Sequence, residues 1–156
     1  MVLVLGVACG GGAEAGGAEP LRLRATVGHP YADTVRFAVP AVARRCADGR
    51  SVLLEGAGER GDGVLVLLRG GDSLGSFPLL AFGDSTTPRG ARVAVRYMTR
   101  DVAHGFTPDS GVVEVTVRGE ALGARVRGTG LEGGTRARLD AEYTGVAFAP
   151  AAVSCR

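Results

Sequence analysis

The residues of this 156-residue chain best suited to chemistry are two histidines, three cysteines and a few Asp-Ser pairs in glycine-rich stretches. Phe82-Gly83-Asp84-Ser85 lies roughly one strand length ahead of Asp101-Val102-Ala103-His104. As chemistry, Ser85 would attack an ester, His104 would take its proton and Asp101 would orient the imidazole. Pro108-Asp109-Ser110-Gly111, with His29 upstream, offers a second serine–histidine pairing. A metal needs converging ligands, yet His29 and His104 stand seventy-five positions apart and the chain has no zinc-type cysteine pair. The cysteines suggest other chemistry. Cys9, directly after the small and apolar residues Val2 to Ala8, is placed to carry a lipid, and Cys46 and Cys155 are placed to form a disulfide.

Neither serine block reads as a catalytic centre. Gly71-Asp72-Ser73-Leu74 and Phe82–Ser85, with Asp101–His104, resemble the nucleophile and acid–base blocks of the Gly-Asp-Ser-Leu esterases. That resemblance implies an α/β fold, blocks far apart, and a Gly and an Asn as oxyanion donors. Here one expected strand separates the blocks, and the chain contains no Asn. Gly, Asp and Ser are also the residues that turns prefer. Pro108–Gly111 resembles the nucleophile loop of chymotrypsin-like proteases, but Val112 replaces the glycine expected next, and the chain is short for a double barrel. Asp109 and Ser110 therefore read as turn residues, and His29 and His104 as hydrogen-bonded loop histidines. The expectation is a protein that is not an enzyme and uses no metal or cofactor.

Composition narrows the class further. With 46% hydrophobic residues the chain has enough apolar surface for one sizeable core. Its basic residues are all Arg, and Lys, Asn, Ile, Gln and Trp are absent. Since Ala, Gly, Arg and Val have GC-rich codons, this is the mark of a high-GC genome and not of selection for phosphate recognition. A net charge of +2 argues against a nucleic-acid partner, which usually demands a strongly basic patch. No apolar run reaches the ~18 residues of a membrane span.

A membrane partner would therefore act through the N-terminus. Gly6-Val7-Ala8-Cys9 has the small residues that precede an acylated Cys, although Leu5 stands one step early and no Arg precedes the apolar stretch. The following Gly/Ala/Glu run cannot pack, and as a random coil it would reach on the order of 20 Å. The organisation expected is a signal-peptide remnant over 1–8, a flexible tether over 9–19, and a single all-β domain over 20–156. Cys46 and Cys155 lie near the start and at the end of that domain, so a bridge would staple its last strand to an early one. Cys9 is then the odd cysteine, which a thioether lipid explains. Several acyl chains, as bacterial lipoproteins carry, would make the anchor stable.

The elements that must position these residues are strands. Leu21, Leu23, Ala25 and Val27 alternate with Arg22 and Arg24; Val35, Phe37 and Val39 flank Arg36 and Ala38. Val93, Val95 and Tyr97 alternate with polar neighbours, as do Val113, Val115 and Val117, and Ala137, Leu139, Ala141 and Tyr143. Ser51–Gly56, Gly63–Gly70 and Ser76–Gly83 are apolar without clean alternation, the pattern of strands covered on both faces. Asp48-Gly49 and Asp62-Gly63 mark hairpins, and Pro40–Ala47 leaves room for one helical turn. The expected fold is all-β: an antiparallel meander of eight to ten strands closing as a small barrel or a sandwich, with a calycin-like barrel as one form.

From Ala41 to Cys155 the order of features resembles β-rich secreted lipoproteins of high-GC bacteria. It is carried by Cys46-Ala47-Asp48-Gly49 before two apolar strands, Gly105-Phe106, Asp109-Ser110-Gly111 before an alternating strand, and a Cys near the C-terminus. The resemblance implies a secreted or lipid-anchored β-domain and no activity. The function expected is non-catalytic: an envelope domain with a structural role or a protein partner. The alternative is a barrel carrying a small apolar ligand in its lumen.

Overall fold

Alternation becomes strand pairing wherever one face of a strand can be buried. In the computed structural model, which describes residues 20–30, 32–71, 74–118 and 120–155, it does so eleven times, with no helix among the described residues. The strands are β1 (Leu23–Gly28), β2 (Val35–Val39), β3 (Ala41–Arg45), β4 (Ser51–Ala57), β5 (Gly63–Arg69), β6 (Gly75–Pro78), β7 (Gly90–Thr99), β8 (Val102–Phe106), β9 (Pro108–Arg118), β10 (Ala121–Glu132) and β11 (Thr135–Ala147). Cys9, the residues read as a signal remnant and the tether lie outside the described residues.

Two antiparallel sheets face one another. One has the order β2-β1-β11-β10-β9-β6, the other β3-β4-β5-β7-β8. Of the barrel and the sandwich, the chain forms the sandwich. It changes sheets four times: through single residues at Pro40 between β2 and β3 and at Thr107 between β8 and β9, and through longer loops before and after β6. Proline suits such a corner because it has no N–H to give to a ladder. The seams between the sheets carry only isolated bridges: Ala43 with Phe148, Cys46 with Val153, and Leu79 with Ala91. A closed barrel needs continuous ladders at those seams.

The core lies between the sheets. Ala137, Leu139, Ala141 and Tyr143 of β11 pack inward with Leu23 and Val27 of β1, against Leu54, Val64, Val66, Leu68 and Val93 of the other sheet. The layers meet closely where Leu23 sits on Gly56. A Cβ at Gly56 would clash with the Leu23 side chain, so any other residue there must displace that leucine. The Tyr143 hydroxyl donates to the Val64 carbonyl at 2.5 Å, joining β11 to β5 across the core. Burial pushes that phenol's pKa well above its ordinary value.

Three local expectations are revised. Pro40–Ala47 contains β3 and no helical turn, because its backbone pairs with β4. Leu21 precedes β1 and is exposed instead of sharing the buried face of Leu23 and Val27. The apolar runs of β4 and β5 have only one covered face. Val52, Leu54, Val64, Val66 and Leu68 are buried, whereas Leu65 is exposed and Leu53 and Leu67 half-exposed on the outer face. The Asp-Gly hairpins form as expected. Asp48 accepts from the amides of Arg50 and Ser51, both at 2.9 Å, and from the Ser51 hydroxyl at 2.7 Å. These hydrogen bonds hold its carboxyl below the ordinary carboxylate range.

The free edge of β3 is covered by the end of the chain. Ala149 N–H donates to Ala43 O at 2.8 Å, Val153 N–H to Arg45 O at 3.0 Å, and Ala47 N–H to Val153 O at 2.8 Å. The Arg45 guanidinium lies over the Phe148 ring, 4.5 Å from its centroid. Cys46 and Cys155 are bonded as a disulfide with a Cα–Cα separation of 5.6 Å, which seals the strap. The bridge closes a sequence separation of 109 residues, for which loop entropy suggests a stabilisation of ~4.7 kcal/mol. Replacing Cys46 and Cys155 by Ser is expected to lower the unfolding free energy by about 2–5 kcal/mol. Urea unfolding of the oxidised, reduced and double-Ser proteins checks this, and the last two should coincide.

Candidate functional site

Both histidines reach one carboxylate. His29 follows β1, and Glu132 ends β10 just before a two-residue turn. Gly133 and Gly134 there have φ of 54° and 85°, a conformation that glycine adopts without strain. Tyr97 and Thr99 stand on β7, and His104 on the adjacent β8. The cluster therefore straddles one end of the sandwich, with His29 and Glu132 from one sheet and Tyr97, Thr99 and His104 from the other.

Glu132 Oε2 accepts the Tyr97 hydroxyl at 2.7 Å and lies 2.5 Å from His29 Nε2. That shared oxygen places the proton of His29 on Nε2 in its neutral form. Nδ1 is then a lone pair, and it has no hydrogen-bond partner. His104 stacks on the Tyr97 ring with centroids 5.2 Å apart and planes 14° apart. Its Nε2 meets Thr99 Oγ1 at 2.5 Å, and its Nδ1 lies 3.3 Å from Glu132 Oε1. A concavity of about 640 Å³ opens over the cluster, with Asp33 and Thr135 on its walls.

Burial raises the pKa of Glu132, but hydrogen bonds from Tyr97 and His29 and the charges of the two imidazoles outweigh it. The carboxyl is held below its ordinary range. Burial, then Glu132, push the Tyr97 phenol in the opposite direction, so it stays protonated and donating.

Thr99, His104 and Glu132 follow the hydroxyl–imidazole–carboxylate order of a nucleophile relay. The relay is broken at its last link, because Glu132 Oε1 is near His104 without the alignment of a hydrogen bond. Among the described residues no group of three His, Cys, Asp or Glu side chains is arranged to hold a metal ion. The two imidazoles engage different oxygens of Glu132 and share no point between them. The cluster presents titratable and hydrogen-bonding side chains at one end of the sandwich.

Asp72 and Ser73 lie outside the described residues; in the other two blocks, Phe82–Ser85 and Pro108–Gly111, the aspartates make turn and surface contacts. Asp84 Oδ1 accepts from the amides of Thr86 and Thr87 at 2.9 and 3.0 Å, and Asp84 Oδ2 from the Thr87 hydroxyl at 2.5 Å. Those bonds, led by the Thr87 hydroxyl, drive its pKa far below the carboxylate range. Phe82–Ser85 is thus the corner of a folded loop, and His104 is engaged by Thr99 and Glu132 instead of Ser85 or Asp101. The Ser110 hydroxyl lies 3.1 Å from Asp109 Oδ1 and 2.9 Å from Thr129 Oγ1, on an exposed surface where Arg136 also reaches Asp109. His29 belongs to Glu132, not to that pair. The sequence marks Tyr97 only as a strand-face residue and assigns Glu132 no role. The Glu-Gly-Gly turn was the available signal, since it puts a carboxylate at a strand end, but nothing local says which histidines that end meets.

The space between the sheets is occupied by side chains, and the larger concavities open to solvent. Comparison with protein-family models, with curated proteins and with solved structures finds no match to this chain.

Since the folded-state pKa of Glu132 is depressed, its contribution to stability is present above the ordinary carboxylate range and is lost as pH falls through the folded value. Glu132→Gln should therefore be less stable than wild type at neutral pH, with the gap narrowing on acidification to about pH 3. Urea unfolding of both proteins across that range checks the convergence.

Proposed function

We propose that this chain is an exported bacterial envelope domain, held at a membrane by lipid on Cys9, with a binding or structural role and no catalysis of its own. The observation that carries the reading is the Cys46–Cys155 bridge. Disulfides persist in oxidising compartments, and pairing these two leaves Cys9 as the remaining cysteine of the chain. The resemblance to β-rich lipoproteins of high-GC bacteria points the same way.

A binding role is supported by what the fold exposes. The filled interior favours recognition on outer surfaces over a ligand in the lumen, and the broken Thr99–His104–Glu132 order favours binding over acyl transfer. The open cluster around Glu132 supplies acceptors and donors suited to a polar group of an envelope protein partner. A net charge of +2 gives no support to a nucleic-acid partner.

Intact mass spectrometry without reduction, on protein recovered from cell membranes, tests the anchor. The expected product starts at Cys9, carries added acyl mass and lacks two hydrogens for the 46–155 bridge. Cys9→Ser should move the protein from the membrane to the soluble fraction. An unmodified Cys9 with Met1 retained would overturn the reading.

A further inference from the structure

Leucines on the outer face of a one-sided sheet need a reason. In cross-strand register, Leu53 of β4 stands beside Leu67 of β5, which stands beside Arg92 of β7, while Leu65 stands between Glu55 and Ala94. These residues floor a groove of about 430 Å³, within the ~300–1,000 Å³ of small-molecule sites. Ser154 and Cys155 of the C-terminal strap line it too, and so does Phe82.

Phe82 is 93% exposed. A loop tip that merely failed to pack would not be so firmly held. Asp84 ties down Thr86 and Thr87. Arg69 donates to Thr87 O at 2.9 Å and to Asp84 O at 3.1 Å, and Arg92 donates to the same Asp84 carbonyl. The loop is built from below, and its aromatic ring is left in water beside the leucines. Arg92 has a second feature, a buried Nε–H with no hydrogen-bond partner. That Nε–H is sealed from solvent, so a ligand in the groove meets the remaining guanidinium N–H groups, for which a carboxylate is the natural acceptor. Of the nearby acids, Asp84 is engaged by its threonines, and Glu55 pairs with Arg44 at 3.3 Å.

We propose that this groove binds a long-chain carboxylate. The aliphatic tail lies over Leu53, Leu65 and Leu67 with Phe82 along its side, and the head accepts from Arg92. The site is separate from the Glu132 cluster and does not depend on lipid at Cys9, so its failure would leave the anchor reading standing.

The test uses the full chain with Cys9→Ser, titrated with a fluorescent eighteen-carbon polyene carboxylate and with the matching alcohol. Saturable binding of one carboxylate per chain is expected, with the alcohol weaker by about tenfold for the lost charge-assisted hydrogen bond. Leu65→Asp and Phe82→Ser, at exposed positions, should each weaken both ligands by about tenfold or more. Arg92→Gln should remove the preference for carboxylate over alcohol. Absence of saturable binding, equal binding by the Leu65→Asp variant, or no preference for the carboxylate would each overturn the proposal. So would a concentration-dependent dimer in sedimentation that Leu65→Asp dissociates, since a second copy would then be the occupant. Binding to phosphatidylglycerol vesicles without binding of the free carboxylate would assign the face to a lipid surface and overturn it equally.

Discussion

The structure depends on β11 lying between β1 and β10. This strand pairs on one side with the first strand of the domain and on the other with β10, so its register ties the two ends of the described chain together. Its inward side chains are Ala137, Leu139, Ala141 and Tyr143, small and large in turn, all 1% exposed or less. That alternation sets how the opposite sheet can approach. The Tyr143 hydroxyl fixes the relation by donating to the Val64 carbonyl. A one-residue slip would turn Arg138, Asp140 and Glu142 into the core, so competing registers are strongly disfavoured.

From that frame the two ends of the sandwich acquire different characters. At one, the Gly133-Gly134 turn returns β11 tightly and leaves Glu132 facing the end of β7, where Tyr97, His104 and Thr99 meet it. Elsewhere the segment beyond β11 runs along β3, covers an edge that would otherwise be open to pairing with another chain, and is locked by the disulfide. Both devices use long-range contacts. They hold the molecule together where a sandwich without closed ladders is weakest.

The outer face of the second sheet follows another logic. The loop around Asp84 uses two arginines and a carboxylate to hold Phe82 in solvent. The same sequence block suggested a nucleophile when read as letters. Its Asp is there to accept backbone amides, and its Gly83 to adopt a φ of 86°. Turn chemistry and catalytic chemistry draw on the same small polar residues.

Sequence alone determined the fold class, the strands with clean alternation such as β1, β7 and β11, the Asp-Gly hairpins and the pairing of Cys46 with Cys155. These follow from period-two burial and from backbone preferences, both of which act over a few residues, and, for the cysteines, from their places near the start and at the end of the domain. Only the tertiary structure decided the sandwich over the barrel, the exposure of the β5 leucines and the meeting of His29 and His104 at Glu132. An apolar run reads the same whether its second face is covered or bare, because coverage is supplied by residues elsewhere in the chain. Likewise, two histidines seventy-five positions apart become neighbours only when strands from both sheets end at the same place. That coincidence is set by strand length, register and the corners at Pro40 and Thr107, none of which is a local property of the residues that meet.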